Sequence, residues 1–246
     1  MKIPVAEGGP ISHVISYRDY LEGRIKRSAV RRNELTREKL KAATVRLLES
    51  GGYHEIPIST FCEEAGLAKG TFYLHFADKE DLVAQVLEEY TALQVKIMPS
   101  ADGSKDAYAA LIVLNSWFAE TFCENVGLHR SMMQLSEAIP RITKIWTDFL
   151  KGLSARYIEE VQRWSNTTLD PEFATFVTYC LWGMLDQALY AIYAVKRNPD
   201  FERLARNQAY LVQSITLFQH RALFLENPEA TFDKSVEGFL MLRGRK

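Results

Sequence analysis

Residues 58–82 read ISTFCEEAGLAKGTFYLHFADKEDL, and this stretch decides the fold. The apolar spacing predicts a short helix over about residues 58–65, and Gly66 can take the left-handed conformation that turns the chain. A third short helix is predicted over about residues 68–76. Two short helices joined by a turn that contains glycine form a helix-turn-helix pattern, in which the second helix offers one polar face to the DNA major groove.

The residues on either side complete a small helical domain. Residues 36–50 carry apolar side chains three and four positions apart, which is the spacing of one buried helix face, and two glycines follow them. Asp78 is placed to cap a long helix that runs toward Lys96. The sequence therefore predicts a three-helix DNA-binding domain near the N-terminus.

The rest of the chain is also helical in pattern, because no sustained alternation of apolar and polar residues indicates a strand. We expect an all-α fold in which an N-terminal three-helix helix-turn-helix domain precedes a larger C-terminal helical domain. The expected boundaries are 1–32 for a basic N-terminal extension, 33–80 for the helix-turn-helix domain and 81–246 for the larger helical domain. The helices expected in the larger domain cover about residues 106–123, 128–137, 140–164, 171–195 and 200–225.

Two of these helices, over about residues 171–195 and 200–225, carry more apolar surface than one chain comfortably covers. The first is apolar nearly all round, and the second has heptad spacing from Phe201 to Leu225, with Gln208 as its polar member. A two-fold homodimer that packs these helices into a four-helix bundle would bury this surface. The alternative is that both helices are core elements of a large monomeric bundle.

Residues 173–195 are long enough to cross a bilayer, but Asp186 and Gln187 lie near their middle. We therefore predict a helix buried against protein and no membrane partner. The three cysteines form no CxxC pair, and the N-terminus has no apolar signal segment. These features predict a reducing, cytoplasmic location.

The net charge of the chain is −1, so any nucleic-acid site must come from a local patch. Residues 18–41 provide one, because they contain nine basic and four acidic side chains. This segment is predicted either as a solvated helix face or as an arm that approaches a phosphate backbone. The extension as a whole can also brace its own domain or form a tail.

Residues 67–82, LAKGTFYLHFADKEDL, together with residues 52–53 and 65–66, closely resemble the signature of the TetR family of transcriptional regulators. The resemblance covers about residues 36–85. It implies an all-α homodimer whose small N-terminal domain binds double-stranded operator DNA. It also implies a C-terminal domain that carries dimerisation and a small-molecule pocket, with effector binding that re-spaces the recognition helices and releases the DNA.

The resemblance assigns DNA contacts to six residues around the recognition helix. Lys69 would donate to a phosphate or a guanine edge, and Lys79 would hold a phosphate at the start of the long helix. Thr71 would contact a phosphate or a thymine methyl, and Tyr73 would direct its hydroxyl to a phosphate. Each of these residues can instead lack a DNA contact, as a solvated lysine, a packing tyrosine or a structural histidine. The full set is Lys69, Gly70, Thr71, Tyr73, His75 and Lys79.

Four features depart from the family pattern, and the first is Thr44, which stands where an alanine is common. Ala68 stands where Ser or Thr usually opens the recognition helix, so a side-chain cap and a phosphate contact are absent there. Ile56-Pro57-Ile58 stands where Thr-Ser/Thr-Val is usual, which removes hydroxyls that would touch the DNA backbone. The N-terminal extension is also longer than usual. We expect the fold to be unaffected and individual phosphate contacts to differ.

The effector pocket is less specific in the sequence. All four tryptophans and ten of the thirteen phenylalanines lie beyond residue 90, which favours an apolar or aromatic effector. Asp186, the most conspicuous polar residue on an apolar helix, would bind a cationic group, pair across the dimer or face solvent. The candidate ligand-binding residues, each of which also fits an ordinary core position, are Trp117, Met133, Trp146, Phe149, Trp182 and Asp186.

Other classes of function have no matching motif. The sequence contains no HExxH, P-loop or GxGxxG motif, and its five histidines are scattered. We therefore predict no enzyme activity, no catalytic residues, no metal site and no cofactor. The expected function is a ligand-responsive transcriptional regulator, a repressor released from a palindromic operator by a small effector. The alternative is a DNA-binding protein of the same fold that is controlled by a protein partner.

Overall fold

The structure, a computed structural model, describes residues 14–27, 32–165, 170–195 and 199–224. The all-α prediction is confirmed, since the described residues contain helices and connections and no strand. No helix among these residues is long and apolar enough to cross a membrane. The α-helices are α1 (Tyr17–Arg27), α2 (Arg32–Ser50), α3 (Ile58–Glu64), α4 (Lys69–Phe72), α5 (Lys79–Ile97), α6 (Ala107–Glu124), α7 (Val126–Ser136), α8 (Pro140–Ser165), α9 (Pro171–Leu189), α10 (Glu202–Arg206) and α11 (Gln208–Phe224).

The described residues group into two compact units. The N-terminal unit consists of those within 14–97 and 121–150, and the C-terminal unit consists of those within 98–120 and 151–224. The boundaries fall inside α6 and α8, so each unit combines separate stretches of chain. This grouping does not follow the functional boundary predicted at residue 80, which stays a prediction.

The core of the N-terminal unit forms around the helix-turn-helix. Phe61 of α3, Phe72 of α4 and Phe76 are buried, and Leu82 and Leu87 of α5 are buried as well. Burying an apolar side chain of this size contributes about 1.5–3 kcal/mol. These large side chains therefore set the angle between the short helices that follow α2.

Helix α1 packs on α2 within the N-terminal unit. Arg18 Nη1 lies 3.1 Å from Glu49 Oε2, and Arg24 Nη2 lies 3.2 Å from Glu38 Oε1. Tyr17 at the start of α1 is fully buried. Basic side chains of α1 therefore pair with acids of α2, which is the kind of contact expected of a brace.

Helix α7 lies against the C-terminal end of α2. A Cβ atom at Gly127 would lie 2.5 Å from the Leu48 carbonyl oxygen and 2.6 Å from the Glu49 nitrogen, so the helices could not approach this closely with a larger residue. Arg130 Nη2 donates to the carbonyls of Leu48 at 2.6 Å and Gly51 at 2.9 Å. These are carbonyls of the kind that a helix end leaves without intrahelical partners.

A buried polar network joins four helices of the C-terminal unit. Asn115 Nδ2 of α6 donates to Thr216 Oγ1 and to Gln219 Oε1 of α11, both at 2.7 Å. Gln219 Nε2 donates to the Leu181 carbonyl of α9 at 2.8 Å, and the Tyr157 hydroxyl of α8 donates to Gln219 Oε1 at 3.3 Å. Because buried polar atoms are costly to leave unpaired, this network fixes the register of the four helices.

The single helix predicted over residues 200–225 is wrong. Helix α10 ends before Asn207, whose backbone angles of φ −135° and ψ 80° interrupt the helix. Asn207 Oδ1 accepts a hydrogen bond from the Tyr210 N–H at 3.1 Å and so caps the start of α11. The predicted heptad stripe is therefore broken, its members Ile215 and Phe218 are half-buried, and residue 225 lies outside the described residues.

Helix α9 leaves an apolar face exposed. Phe173 is 60% exposed, Phe176 is 63% exposed and Met184 is 37% exposed, and Cys180 between them is exposed as well. Spacings of three and four residues place these four side chains on one side of the helix. A contiguous apolar face of this kind marks an interaction surface.

Candidate functional site

The turn between α3 and α4 sets the direction of the recognition helix. Gly66 has a φ of 67°, and the Leu67 N–H donates to the Cys62 carbonyl at 2.8 Å. This arrangement satisfies a carbonyl at the end of α3, and glycine takes the left-handed conformation without a Cβ penalty. Helix α4 begins after Ala68, which makes no side-chain cap hydrogen bond because its methyl group cannot accept one.

The recognition helix is shorter than the predicted helix over residues 68–76. Regular α-helix covers Lys69–Phe72, and turns follow it. The N–H groups of His75 and Phe76 both donate to the Phe72 carbonyl, at 2.9 and 3.1 Å. These bonds hold the segment that follows α4 in a turn conformation, so its side chains lie beside those of the helix.

Three of the predicted DNA-binding residues are exposed. Lys69 and Gly70 are exposed, and Tyr73 is 54% exposed. A Cβ atom at Gly70 would meet no atom within 4 Å, so the surface there is open to another backbone. Thr71 lies among them and is half-buried.

Sequence reasoning missed Leu74, which is the most exposed large apolar side chain of the described residues at 79%. It follows Tyr73 and precedes His75, so it belongs to the same displayed segment. An apolar side chain beside candidate polar contacts would suit the methyl group of thymine in a DNA major groove. Its position inside the motif TFYLHF was the available signal, because a core residue is not expected between two candidate contact residues.

Helix α2 positions His75. Arg37 Nη1 donates to the His75 carbonyl at 3.4 Å, and its guanidinium carbon lies 4.9 Å from the centroid of the Phe76 ring. Burial, together with the charge of Arg37, lowers the pKa of His75 below its ordinary value. His75 is therefore neutral at neutral pH, and it can donate or accept a hydrogen bond but brings no positive charge to a phosphate.

Lys79 holds the start of α5 to the segment before α3. Its Nζ donates to the Tyr53 carbonyl at 3.1 Å and to the Ile56 carbonyl at 3.0 Å, and it lies 4.2 Å from the centroid of the Tyr53 ring. Burial lowers the pKa of Lys79 below its ordinary value. An ammonium group has three N–H donors, so two are used within the fold and one is left for a phosphate.

Comparison with known proteins explains this arrangement. A family model described as bacterial regulatory proteins of the tetR family matches residues 40–86, which run from α2 into α5. Residues 40–86 form a TetR-family DNA-binding domain. The chain is therefore a DNA-binding transcriptional regulator, and the TetR family is made up of transcriptional regulators.

Two relatives extend the match beyond the helix-turn-helix. This TetR-family regulator is 27% identical over 160 residues to the fatty acid metabolism regulator protein of Bacillus subtilis (strain 168). The match covers 59% of this chain and 82% of that protein. It is also 24% identical over 180 residues to the HTH-type transcriptional regulator YwcC of the same organism. That match covers 64% of this chain and 78% of YwcC.

Solved structures of TetR-family regulators share the fold. FadR from Bacillus subtilis in complex with stearoyl-CoA superposes with a TM-score of 0.57 at 18% identity, covering 72% of this chain and 96% of FadR. FadR from Bacillus halodurans gives 0.56 at 21% identity, with 72% and 94% covered. A regulator from Streptomyces coelicolor gives 0.62 at 13% identity, with 85% and 96% covered. The TetR fold therefore extends over most of the chain.

The structure divides the six predicted ligand-binding residues of this regulator between its two units. Three are buried in the C-terminal unit, and three belong to the N-terminal unit, where one is buried and two are half-buried. The first group is Trp117, Trp182 and Asp186, and the second is Met133, Trp146 and Phe149. The six therefore do not form one cluster within either unit.

The interior of the C-terminal unit contains polar atoms that no described residue partners. They are Asn115 Oδ1, the indole N–H groups of Trp117, Trp164 and Trp182, and Asp186 Oδ1. The ring of Phe118 lies 4.7 Å from that of Trp182 and gives this region an aromatic wall. Burial raises the pKa of Asp186 to about 7, so a substantial fraction of this carboxyl is protonated near neutral pH. Since folded proteins leave few buried polar groups unsatisfied, these atoms are candidates for contact with a ligand or water.

Proposed function

We propose that this TetR-family regulator is a repressor that binds a palindromic operator as a homodimer and is released by an apolar effector. The observation that carries the DNA-binding part is the joint exposure of Lys69, Gly70, Tyr73 and Leu74 on α4 and the turn after it. A mixed polar and apolar surface of this kind complements the phosphates, base edges and thymine methyl groups of the major groove.

The exposed residues contact different parts of the DNA. Lys69 donates to a phosphate or a guanine edge, and Gly70 lets the backbone approach the DNA closely. The hydroxyls of Thr71 and Tyr73 donate to phosphates, which fixes the register of the protein on the duplex. Leu74 packs against a thymine methyl and therefore contributes sequence preference rather than overall affinity.

His75 and Lys79 contribute at the edge of this surface. His75 acts as a neutral hydrogen-bond partner, consistent with its lowered pKa. Lys79 offers a phosphate the N–H that the carbonyls of Tyr53 and Ile56 do not use. Its ammonium is held in place by those two bonds, so the phosphate contact requires little further ordering of the side chain.

The apolar face of α9 supports the dimer. Phe173 and Phe176 are more than half exposed in the single chain, and burying them against a second copy would remove them from water. Ile215 and Phe218 of α11, in the same unit, are half-buried and add to the surface available for pairing. Two copies of α9 and α11 related by a two-fold axis make the four-helix bundle expected from the sequence.

The C-terminal unit supplies the effector site of this proposal. Trp117, Trp182 and Asp186 have buried polar atoms without described partners, in an interior rich in aromatic rings. A protonated Asp186 carboxyl donates a hydrogen bond to a carbonyl, and the indole N–H groups do the same. The FadR complex with stearoyl-CoA supports an effector with a long apolar chain and a carbonyl group. Met133, Trp146 and Phe149 stay predictions.

The DNA-binding proposal is tested by selecting bound duplexes from random DNA with the purified full-length protein. We expect a two-fold symmetric site whose half-sites are centred about 10 base pairs or a longer interval apart. Lys69→Ala combined with Tyr73→Ala should abolish binding, and Leu74→Ala should weaken the thymine preference at one position of each half-site. Lys151→Ala, an equal charge change in the C-terminal unit, is the control. Failure to enrich any site would contradict the proposal.

The effector proposal is tested by adding stearoyl-CoA to the protein–operator complex. We expect release of the DNA and a change in tryptophan fluorescence, whereas coenzyme A without an acyl chain should cause neither. Trp182→Phe should reduce the fluorescence change while operator binding is retained. Operator binding that no acyl-CoA or free fatty acid reverses would favour the alternative, control by a protein partner.

A further inference from the structure

Asn125 lies at the junction between α6 and α7 and is 2% exposed. Its Oδ1 accepts a hydrogen bond from the Tyr17 N–H at 2.8 Å, and its Nδ2 donates to the carbonyls of Ile15 at 2.9 Å and Thr121 at 2.8 Å. The amide therefore pairs with the backbone entering α1 through both a donor and an acceptor. It also ties that backbone to the end of α6, more than 100 residues away along the chain.

The first turn of α1 also reaches α5 and, through it, α7. The Tyr17 ring lies 5.5 Å from the Tyr90 ring in an edge-to-face arrangement, and its hydroxyl donates to Glu89 Oε2 at 3.3 Å. The Tyr90 hydroxyl is 2.8 Å from His129 Nε2 of α7. Leu21 fills the next turn and is fully buried. Helix α1 therefore has side chains in the core that α5 and α7 share.

Three ion pairs attach the same helix to α2. Besides the pairs of Arg18 and Arg24 described above, Glu22 Oε1 lies 3.6 Å from Arg46 Nη1. The partner of Arg24, Glu38, is buried and lies 3.9 Å from Lys41 Nζ, which also pairs with Glu89 of α5 at 2.5 Å. Helix α1 is therefore bound to α2 by ion pairs and to α5 by Tyr17, and Lys41 links the acids of α2 and α5 to each other.

These contacts connect α1, α2, α5 and α7 to one another in a closed loop. Helix α7 docks on α2 through Gly127 and Arg130, and α1 joins α2 and α5 to the junction from which α7 starts. We propose that α1 is a strap, and that Asn125 is a positioning residue which holds the strap so that α2 and α5 keep the geometry that binds operator DNA. The proposal rests on the operator-binding function proposed above and adds a part that the helix-turn-helix motif does not contain.

A strap and a DNA arm differ in one measurable property. An arm that neutralises phosphates releases counterions, so its removal lowers the slope of log affinity against log salt by about 0.9 for each phosphate that it had neutralised. A strap acts through the position of α2 and α5 and touches no phosphate. Its removal lowers operator affinity and leaves the salt slope unchanged.

The first experiment measures operator affinity over a range of salt concentrations for Asn125→Ala and for a protein lacking residues 1–28. We expect both to bind at least about fivefold more weakly, with the salt slope of the full-length protein. Lys26→Ala, which removes an exposed cation from α1, is the control and should change neither quantity. A reduced slope in the shortened protein would overturn the strap and establish an arm.

The second experiment combines the two changes. If Asn125 acts through α1, Asn125→Ala should have less than about a twofold effect on operator affinity in the protein that already lacks residues 1–28. Effects that multiply would show that Asn125 acts independently of α1 and would overturn the assignment. If the shortened protein does not fold, the full-length protein with Arg18, Glu22 and Arg24 all changed to alanine takes its place in this cycle, because these changes remove the three ion pairs by which α1 holds α2.

A third measurement needs no DNA and separates this inference from the proposed function. Amide hydrogen exchange should become faster in α1 and α2 of Asn125→Ala and stay unchanged in α9 and α11. If no operator is found, the proposed function fails while this result still supports the strap. Unchanged protection in α1 and α2 would overturn the strap whatever the DNA experiments show.

Discussion

Two N–H groups of Lys79 are used inside the N-terminal unit, on the carbonyls of Tyr53 and Ile56. The family motif identifies Lys79 as a phosphate contact, but these bonds run to backbone atoms 26 and 23 residues earlier in the chain. A sequence motif holds no information about such a pairing, because any residue has a carbonyl. If mutation of Lys79 weakens DNA binding, the effect would therefore combine a missing phosphate bond with a loosened segment.

Lys79→Met tests the structural task directly, because methionine keeps much of the apolar stem and removes all three donors. We expect the free energy of unfolding to fall by about 1.5–3 kcal/mol, the range for hydrogen bonds to a charged group, measured by urea denaturation. Lys69→Met, at an exposed position of α4, should stay within about 0.5 kcal/mol of the unmodified protein. Equal, small effects of the two substitutions would contradict the structural task.

Asp186 is a residue that the sequence singles out but describes incompletely. A lone acid on an apolar helix is visible in the pattern, and its three suggested roles included exposure to solvent. The structure buries it, and burial raises its pKa from 3.8 to about 7. Whether a polar residue on such a helix is exposed depends on the helices packed against it, which the spacing of one segment does not report.

The raised pKa makes stability depend on pH. The neutral carboxyl is favoured in the folded protein, so its contribution is full below about pH 4 and is lost as the pH rises toward 7, with a slope of at most about 1.4 kcal/mol per pH unit. Asparagine does not ionise, so the stability of Asp186→Asn relative to the unmodified protein should increase from pH 5 to pH 7. Urea denaturation at several pH values measures this, with Asp148→Asn as the exposed control. A difference that does not vary with pH would contradict the burial of a titrating carboxyl.

At the scale of elements, local signals predicted α2, α3 and the start of α5 well, the length of α4 less well, and the docking of α7 not at all. The glycine turn, the helix start at Asp78 and the apolar spacing of α3 are each contained within a few residues. Arg130 and its partner Leu48 are 82 residues apart, and nothing near either residue indicates the other. Gly127 is an ordinary glycine in the sequence, and only the packing of the two helices shows why it is needed.

Gly127→Ala tests the docking of α7 on α2. The added Cβ would lie 2.5 Å from a backbone oxygen, so the helices must separate. Overpacking of this kind costs about 1–3 kcal/mol, and we expect a loss of at least this size in thermal or urea unfolding. Gly70→Ala, where the added atom meets nothing, is the matched control and should be neutral or up to about 1 kcal/mol stabilising. A stable Gly127→Ala protein would show that α7 does not approach α2 this closely.

The break at Asn207 shows why the predicted helix over residues 200–225 failed. Heptad spacing counts positions along the chain and is insensitive to the backbone angles of a single residue between them. Asparagine is a strong helix cap, so a signal for a new helix start at Asn207 was present and was outweighed by the apolar pattern. The members of the stripe beyond the break still share one side of α11, but most of them lie outside its fully buried face.

At the scale of the whole molecule, the exposed face of α9 is the feature that a single chain leaves unexplained. The sequence indicated surplus apolar surface in this segment, and the structure places that surplus on Phe173, Phe176, Cys180 and Met184. The pattern could not show which residues face outward, because the helix is apolar nearly all round and its inner face is selected by α11 and α8.

Phe176→Arg tests this face as a dimer interface. A charge in a pairing apolar surface must lose its hydration, so we expect the protein to sediment as a monomer at micromolar concentration with its helical content retained. Operator affinity should fall as well, because each copy reaches only one half-site. Thr147→Arg, which adds the same charge to an exposed position of α8, should leave both properties unchanged. An intact Phe176→Arg dimer would place the interface elsewhere.

The interleaving of the two units has a consequence for biosynthesis. When residue 97 leaves the ribosome, every helix of the recognition motif has been made, yet Asn125, Gly127 and Arg130 have not. The N-terminal unit is complete only when residue 150 has emerged, which takes roughly 3–10 seconds more at about 5–20 residues per second. The N-terminal unit therefore cannot finish folding until the middle of the chain has been translated. Nascent chains that are truncated before residue 150 should compete poorly for the operator.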